Sequence, residues 1–332
     1  MHRKPNILVV GSFMMDLIAS THKAPQSGET VKGIGFSTAP GGKGANQAVQ
    51  CARLGANVTM AGKVGKDAFG DFMLKTASDA GVDVSHVLRD DKEPSGVGHI
   101  TLEITENSAQ NRITICPGAN SRITEQDMAW LKDEIGRFDI VMLQFEIPME
   151  INELVAGLAF EAGVPVMVNP APAADIPESL LAHTTYLSPN EHEAALLTGH
   201  KIDVTDGVNY KDLEIVADNL INRGVKNLIV TLGENGSIIA DGKALEHIEC
   251  VRVDKVADPT AAGDSFVAAF CTALSAGIPK NDALVFASHV SSLTVTKMGA
   301  MPSLPTISEV REYLARKGRP GFHQAELDAL EA

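Results

Sequence analysis

Positive charge is in short supply in this chain of 332 residues: 28 Lys and Arg face 42 Asp and Glu, a formal net charge of −14. That balance argues against unspecific binding to nucleic acid or to anionic membranes, which both need a basic surface. It leaves phosphate ligands open, since these need only a few local donors. Cysteine is equally sparse. Cys51, Cys116, Cys250 and Cys271 are widely spaced, form no CxxC pair and suggest no ligand cluster, so they are read as reduced thiols of a cytoplasmic protein. No apolar run reaches the roughly 20 residues of a membrane span. The opening MHRKPNILVVGSFMMDLIAS has basic residues before apolar ones, as a signal peptide does. Gly11, Ser12 and Asp16 interrupt that run, however, and no cleavage site of small residues follows. Residues 7–10 are read instead as a buried first strand. Two nucleotide fingerprints are also missing: no GxGxxG occurs, and Lys43 precedes Gly44 rather than Ser or Thr, so no Walker A loop is present.

What is present is ample apolar material, 44% of the residues, enough for a sizeable core in one large domain. Short apolar runs at 7–10, 57–65, 140–146, 165–169, 185–190 and 227–233 alternate with helical patterns such as 45–54, 71–80 and 210–223. That alternation predicts an α/β fold, a central mainly parallel sheet flanked by helices on both faces. Ligands of such sheets bind beyond the carboxyl ends of the strands. One segment breaks the rhythm. GHITLEIT (98–105) alternates strictly and leads through the polar ENSAQN into RITIC (112–116), a hairpin. With the extended stretch ETVKGIGF (29–36) it predicts a small β-sheet lid, built from segments 14–40 and 95–117, whose apolar face needs a partner. Ordinary edge strands are the plainer alternative. The main domain would cover residues 1–318, and the tail GRPGFHQAELDALEA, from 319 to 332 in the main, is expected to be a loosely attached extension.

The stretch KVADPTAAGDSF (255–266) poses a chemical question. Phe266, Phe270, Ala273 and Leu274 mark one apolar face of a helix. Ala261, Ala262 and Gly263 therefore sit at its start, where backbone N–H groups lack internal partners and the helix dipole favours an anion. Asp264 beside an anion site is either an ordinary N-cap or a base. PGGKGANQAVQCARLGA (40–56) opens another helix with adjacent glycines, where Lys43 and Asn46 offer polar groups to a small ligand. Alone, a Gly-rich turn before a helix is common.

The combination is more specific. GGKGAN, an acid after a strand (Glu146), NPAP (169–172), SPNEHE (188–193), TLGENG (231–236) and DPTAAGD (258–264) occur in one order. Over residues 7–305 this set closely resembles the ribokinase family of carbohydrate kinases. The resemblance implies ATP-dependent phosphorylation of D-ribose at O5 by a homodimer joined through the lid. It places Asp16, Gly42, Lys43, Asn46 and Glu146 around the sugar, with Asp264 as general base and Ala261, Ala262 and Gly263 as anion hole. It places Asn190 and Glu193 near the phosphates and magnesium, and Thr231, Gly233, Gly236, Gly263 and Ser288 at the nucleotide. TLGENG is also a good hairpin turn, and Asp16 and Glu146 alone would read as solvated strand-end acids. Potassium is implied at Asp258, Thr260, Thr294, Lys297, Gly299 and Ser303. Pro259 departs from the usual Thr, removing an N–H while leaving the carbonyl.

Met14 is a second departure, standing where many bacterial members carry Asn. A thioether offers a sugar hydroxyl almost nothing, so 2-deoxyribose or another pentose or nucleoside is an alternative substrate. Two further readings stand beside the kinase. A non-catalytic sugar-binding regulator is disfavoured by the intact AAGD turn, and a dinucleotide oxidoreductase by the missing GxGxxG.

Overall fold

A computed structural model describes residues 3–105, 109–205 and 207–332. Its thirteen strands are β1 Asn6–Val10, β2 Met14–Thr21, β3 Gly35–Gly41, β4 Asn57–Gly65, β5 Val82–Asp90, β6 Gly96–Ile104, β7 Ala109–Cys116, β8 Ile140–Gln144, β9 Val166–Asn169, β10 Tyr186–Leu187, β11 Asn227–Thr231, β12 Ser237–Ala240 and β13 Leu245–Ile248. Nine of them form one sheet in the order β13-β12-β11-β10-β9-β8-β1-β4-β5. All its pairings are parallel except β11 with β12 and β12 with β13.

The central strands carry runs of consecutive apolar residues, such as Ile7–Val10 in β1 and Ile140–Leu143 in β8, because both faces are covered. In β1, Ile7 and Val9 enter one core with Met142, Ile229 and Phe270, while Leu8 and Val10 enter another with Val141, Leu143, Leu228 and Val230. The first core lies under helices Lys43–Arg53, Ala262–Ser275 and Lys280–Thr294, which contribute Val49, Phe266 and Phe286. The second lies under Met149–Glu161 and Tyr210–Asn222, through Val155 and Val216. Burying each such side chain fully stabilises the fold by about 1.5–3 kcal/mol.

The remaining four strands form a separate sheet, β3-β2-β6-β7. Here β2 lies parallel to β6, and the other two pairings are antiparallel. This is the expected small sheet, with one difference. The stretch 29–36 is not its strand: pairing begins only at Gly35, opposite Ser20, and runs to Gly41. Its partner β2 carries Asp16. The hairpin turn ENSAQN falls partly outside the described residues.

The C-terminal tail also differs from expectation. Residues Gln324–Glu331 form a helix whose Leu327 and Leu330 are buried in the first core. Arg311 pairs with both Asp328 and Glu331. Leu327 and Leu330, at i and i+3, form the helical face that docks. Among the described residues no helix is long and apolar enough to cross a membrane.

Candidate active site

The carboxyl ends of the central strands converge on one region. Ser12 follows β1, Glu146 follows β8, Asn169 ends β9, Ser188 follows β10 and Thr231 ends β11. A cleft of about 240 Å³ there is lined by Lys43, Asn169, Ser188, Asn190, Glu193, Thr231, Pro259 and Ala261 through Asp264.

Asp264 is the third residue of helix Ala262–Ser275, so it is not the N-cap; that position belongs to Ala261. Ala261 holds φ 62°, a left-handed conformation costing a non-glycine residue about 1–2 kcal/mol. The turn aims the helix start at the cleft. The Ala262 N–H donates to the Pro259 carbonyl at 3.2 Å, closing the turn, so the expected trio of anion donors is reduced to Ala261 and Gly263 while that bond stands. The buried Asp264 carboxylate accepts from Asn46 Nδ2 at 2.9 Å and from Gln47 Nε2 at 3.1 Å. The Asn46 Oδ1 is buried with no partner among the described residues, an acceptor left for a ligand hydroxyl.

The GGKGAN turn is held from the opposite side. Glu146 Oε2 accepts the Lys43 N–H at 2.8 Å and the Ser12 hydroxyl. The carboxylate thereby caps a helix whose own N-cap, Gly42, has no side chain to do so. Gly42 stands at φ 93°, and a Cβ there would lie 2.8 Å from the Met14 nitrogen. The Lys43 ammonium would be driven towards neutrality by burial, but Asp264, Glu146 and Glu193 more than offset this and hold its pKa above the ordinary value.

Asp16 reaches the site from β2, paired with Gly98 and Ala39. A Cβ on Gly98 would meet its Oδ1 at 2.5 Å, so a larger residue there would force the Asp16 carboxylate to shift. Burial, and secondarily the charge of Glu146, push the Asp16 pKa from 3.8 to about 6. Met14, Phe145, Glu146, Ile115 and Pro172 help line a second cavity of about 290 Å³ between the small sheet and the main one. Met14 is not loose there: its sulfur accepts from Asn120 Nδ2 at 3.3 Å.

On another wall of the cleft, Asn190 and Glu193 form a capping box. Asn190 Oδ1 accepts the N–H groups of His192 and Glu193, and Glu193 Oε2 accepts the Asn190 N–H at 2.9 Å. Both also line the cleft. Burial, with Asp264 and Glu191 adding, raises the Glu193 pKa against the pull of Asn190 and Lys43.

The model of the pfkB family carbohydrate kinases matches residues 4–307. The chain belongs to the pfkB family of carbohydrate kinases. It is 37% identical over 92% of its length to the ribokinase of Schizosaccharomyces pombe, covering 96% of that protein. With the ribokinase of Bacillus subtilis it shares 38% over 93%, covering 99%. A deoxyribokinase of Salmonella typhi is 32% identical over 93% of the chain, 99% of it covered. Among solved structures, Arabidopsis thaliana ribokinase complexed with ribose and ATP superposes with a TM-score of 0.85 at 33% identity, over 94% of this chain and 99% of that one.

As a pfkB-family kinase, the chain is a phosphotransferase acting on an alcohol group. Within the frame expected of the family, Asp264, Lys43, Asn46, Asn190, Glu193 and Thr231 come together. Gly233 (φ 56°) and Gly236 (φ 84°) shape the β11–β12 hairpin and do not line the cleft. Ser288 is buried in helix Lys280–Thr294, also away from the lining. In the expected cation loop, Asp258 accepts from the Thr260 N–H and hydroxyl (2.9 and 2.6 Å) and from the Gly299 N–H (2.9 Å). Burial works to raise its pKa, but these hydrogen bonds outweigh burial and lower it. Thr294 and Ser303 are buried with their hydroxyls on backbone carbonyls, and Lys297 pairs with Glu309. Sequence reasoning missed Ser12, Gln47 and Ser188, whose hydroxyl is buried without a partner among the described residues. A hydroxyl or amide carries no periodic signal; only its place at a strand end or helix start could have drawn attention.

Proposed function

We propose that the chain phosphorylates D-ribose at O5 with ATP, giving D-ribose 5-phosphate and ADP. The observation that carries this is Asp264: a buried carboxylate at a helix start, between the cleft that would take the nucleotide and the Asp16, Asn46 and Glu146 groups that would take the sugar. The ribose- and ATP-containing structure of a relative supports the same reading. Asp264 accepts the proton of the O5 hydroxyl as it attacks, and the N–H groups of Ala261 and Gly263 face the transferring phosphoryl group. Asn46 Oδ1, Asp16 and the other oxygen of Glu146, Oε1, accept from other sugar hydroxyls. Lys43 offsets part of the negative charge of Asp264, Glu146 and Glu193.

The donor set fits the implied groups. The unpartnered Ser188 hydroxyl and the Asn190 amide suit polar contacts with a nucleotide. Among the described residues no three His, Cys, Asp or Glu side chains cluster as a metal cage. Magnesium needs only carboxylate oxygen, water and phosphate, so Glu193 would hold it largely through water, where it neutralises phosphate charge. An ionised Asp258 and the carbonyls around Thr260, Thr294, Lys297, Gly299 and Ser303 suit potassium.

The proposal extends to a cytoplasmic homodimer whose interface is the small sheet. Phe36 (69%), Ile113 (53%) and Ile115 (50%) are exposed on it, an apolar surface that calls for cover. The catalytic unit would then be residues 1–318 with lid segments 14–40 and 95–117, and 319–332 an added helix. A second substrate, 2-deoxyribose, is favoured by Met14, which offers a 2-hydroxyl no ordinary partner. The test is a coupled ADP-release assay over pentoses, hexoses and nucleosides. Ribose-dependent turnover is expected to exceed that with hexoses, and its absence would overturn the assignment.

A further inference from the structure

Gln47 is buried completely, one residue beyond the GGKGAN turn, and every polar atom of its side chain is committed. Its Nε2 donates to Asp264 Oδ1 at 3.1 Å and to Asn169 Oδ1 at 3.2 Å. Its Oε1 accepts from Gln144 Nε2 at 2.7 Å. The orientation of this amide is not arbitrary. Asn169 Nδ2 donates to the Ser188 backbone carbonyl at 2.9 Å, which only accepts, so Asn169 must turn its oxygen towards Gln47. Gln144 supplies the matching donor at the other end. The polarity of the chain Ser188–Asn169–Gln47–Gln144 is thus set without reference to Asp264, and it leaves one Gln47 N–H aimed at the carboxylate.

We infer that Gln47 is the positioning residue of the base: it fixes the rotation of the Asp264 carboxylate so that a lone pair meets the attacking hydroxyl. Asn46 holds Oδ2 from the same helix, so the carboxylate is gripped at both oxygens. A carboxylate side-chain torsion is otherwise broad, and a reacting geometry lost by an ångström is costly in rate. Gln47 is fully buried and lies outside the cleft lining, so its effect passes through Asp264. The inference rests on Asp264 being the base.

The experiment is a double-mutant cycle. Gln47→Met keeps length and apolar volume while removing both donors. It is expected to lower kcat about ten-fold or more, with KM for ribose and ATP within about two-fold, an effect of the size expected for a lost hydrogen bond to a charged group. In an Asp264→Asn background the same substitution should change kcat by less than about two-fold, because the partner it positions is gone. Unchanged kcat in Gln47→Met, or an equal loss in both backgrounds, overturns the inference. Should Gln47→Met fail to fold, Gln144→Met loosens Gln47 from behind; it is expected to lower kcat alone by a few-fold, and unaltered kcat there counts against the inference. Full turnover in Asp264→Asn by itself would instead refute the base assignment, so the two failures are distinguishable.

Discussion

Asp16 has been placed where its charge is costly, and the cost can be measured. Burial on strand β2, with Glu146 nearby, raises its pKa from 3.8 to about 6. Each pKa unit corresponds to about 1.4 kcal/mol, so ionised Asp16 destabilises the unliganded fold by up to about 3 kcal/mol. The sign follows from proton linkage. The folded protein binds this proton more tightly than the unfolded chain, so the group favours folding below pH 3.8 and that contribution is lost as pH rises through about 6. Asp16→Asn replaces the carboxylate by a neutral side chain of the same shape. At pH 8 the variant should unfold at higher urea than the wild type, by up to about 3 kcal/mol from linear extrapolation. Between pH 6 and pH 4 the advantage should disappear. Ribose affinity, read by calorimetry without nucleotide, should fall, since Asn presents one acceptor where the carboxylate presents two. A variant no more stable at pH 8, or one whose advantage does not vary with pH, would show that the carboxylate is not under strain in the fold. The trade of stability for a binding charge would then be absent.

Three further outcomes are expected. Asp264→Asn should fold normally and lose about 10²- to 10⁴-fold in turnover at saturating ribose; near-normal kcat would remove it from the role of base. Exchanging potassium for sodium or a bulky organic cation should lower activity without shifting the thermal midpoint. Equal rates in all three salts would mean that Pro259 has altered or abolished the cation site. Met14→Asn should move the ratio of kcat/KM for ribose over 2-deoxyribose about ten-fold towards ribose, because an unpaired buried amide penalises the analogue lacking the hydroxyl. Deoxyribose ignored by the wild type, together with an unchanged ratio in the variant, would refute that view of the pocket.

The sequence alone determined what depends on local period and local chemistry. Apolar runs such as residues 57–65 gave the central strands, and strict alternation gave β6 and β7. The order of GGKGAN, NPAP and TAAGD gave the family, because each motif is a short turn whose backbone geometry is decided by its own residues. Asp264 was singled out from its neighbours in the chain. Its bonds to Asn46 and Gln47 were not, for these lie 218 and 217 positions away and meet it only because two helices pack on one face of the sheet. The tertiary structure alone decided that Glu146 caps the helix beginning at Lys43, across 103 positions. It also decided that the sheet carrying Asp16 pairs with residues 35–41 rather than 29–36, and that the tail folds back through Leu327 and Leu330. In each case the deciding term is the burial of a polar or apolar group against a surface that sequence distance conceals. Local pattern says which groups need a partner, and packing says which partner they find.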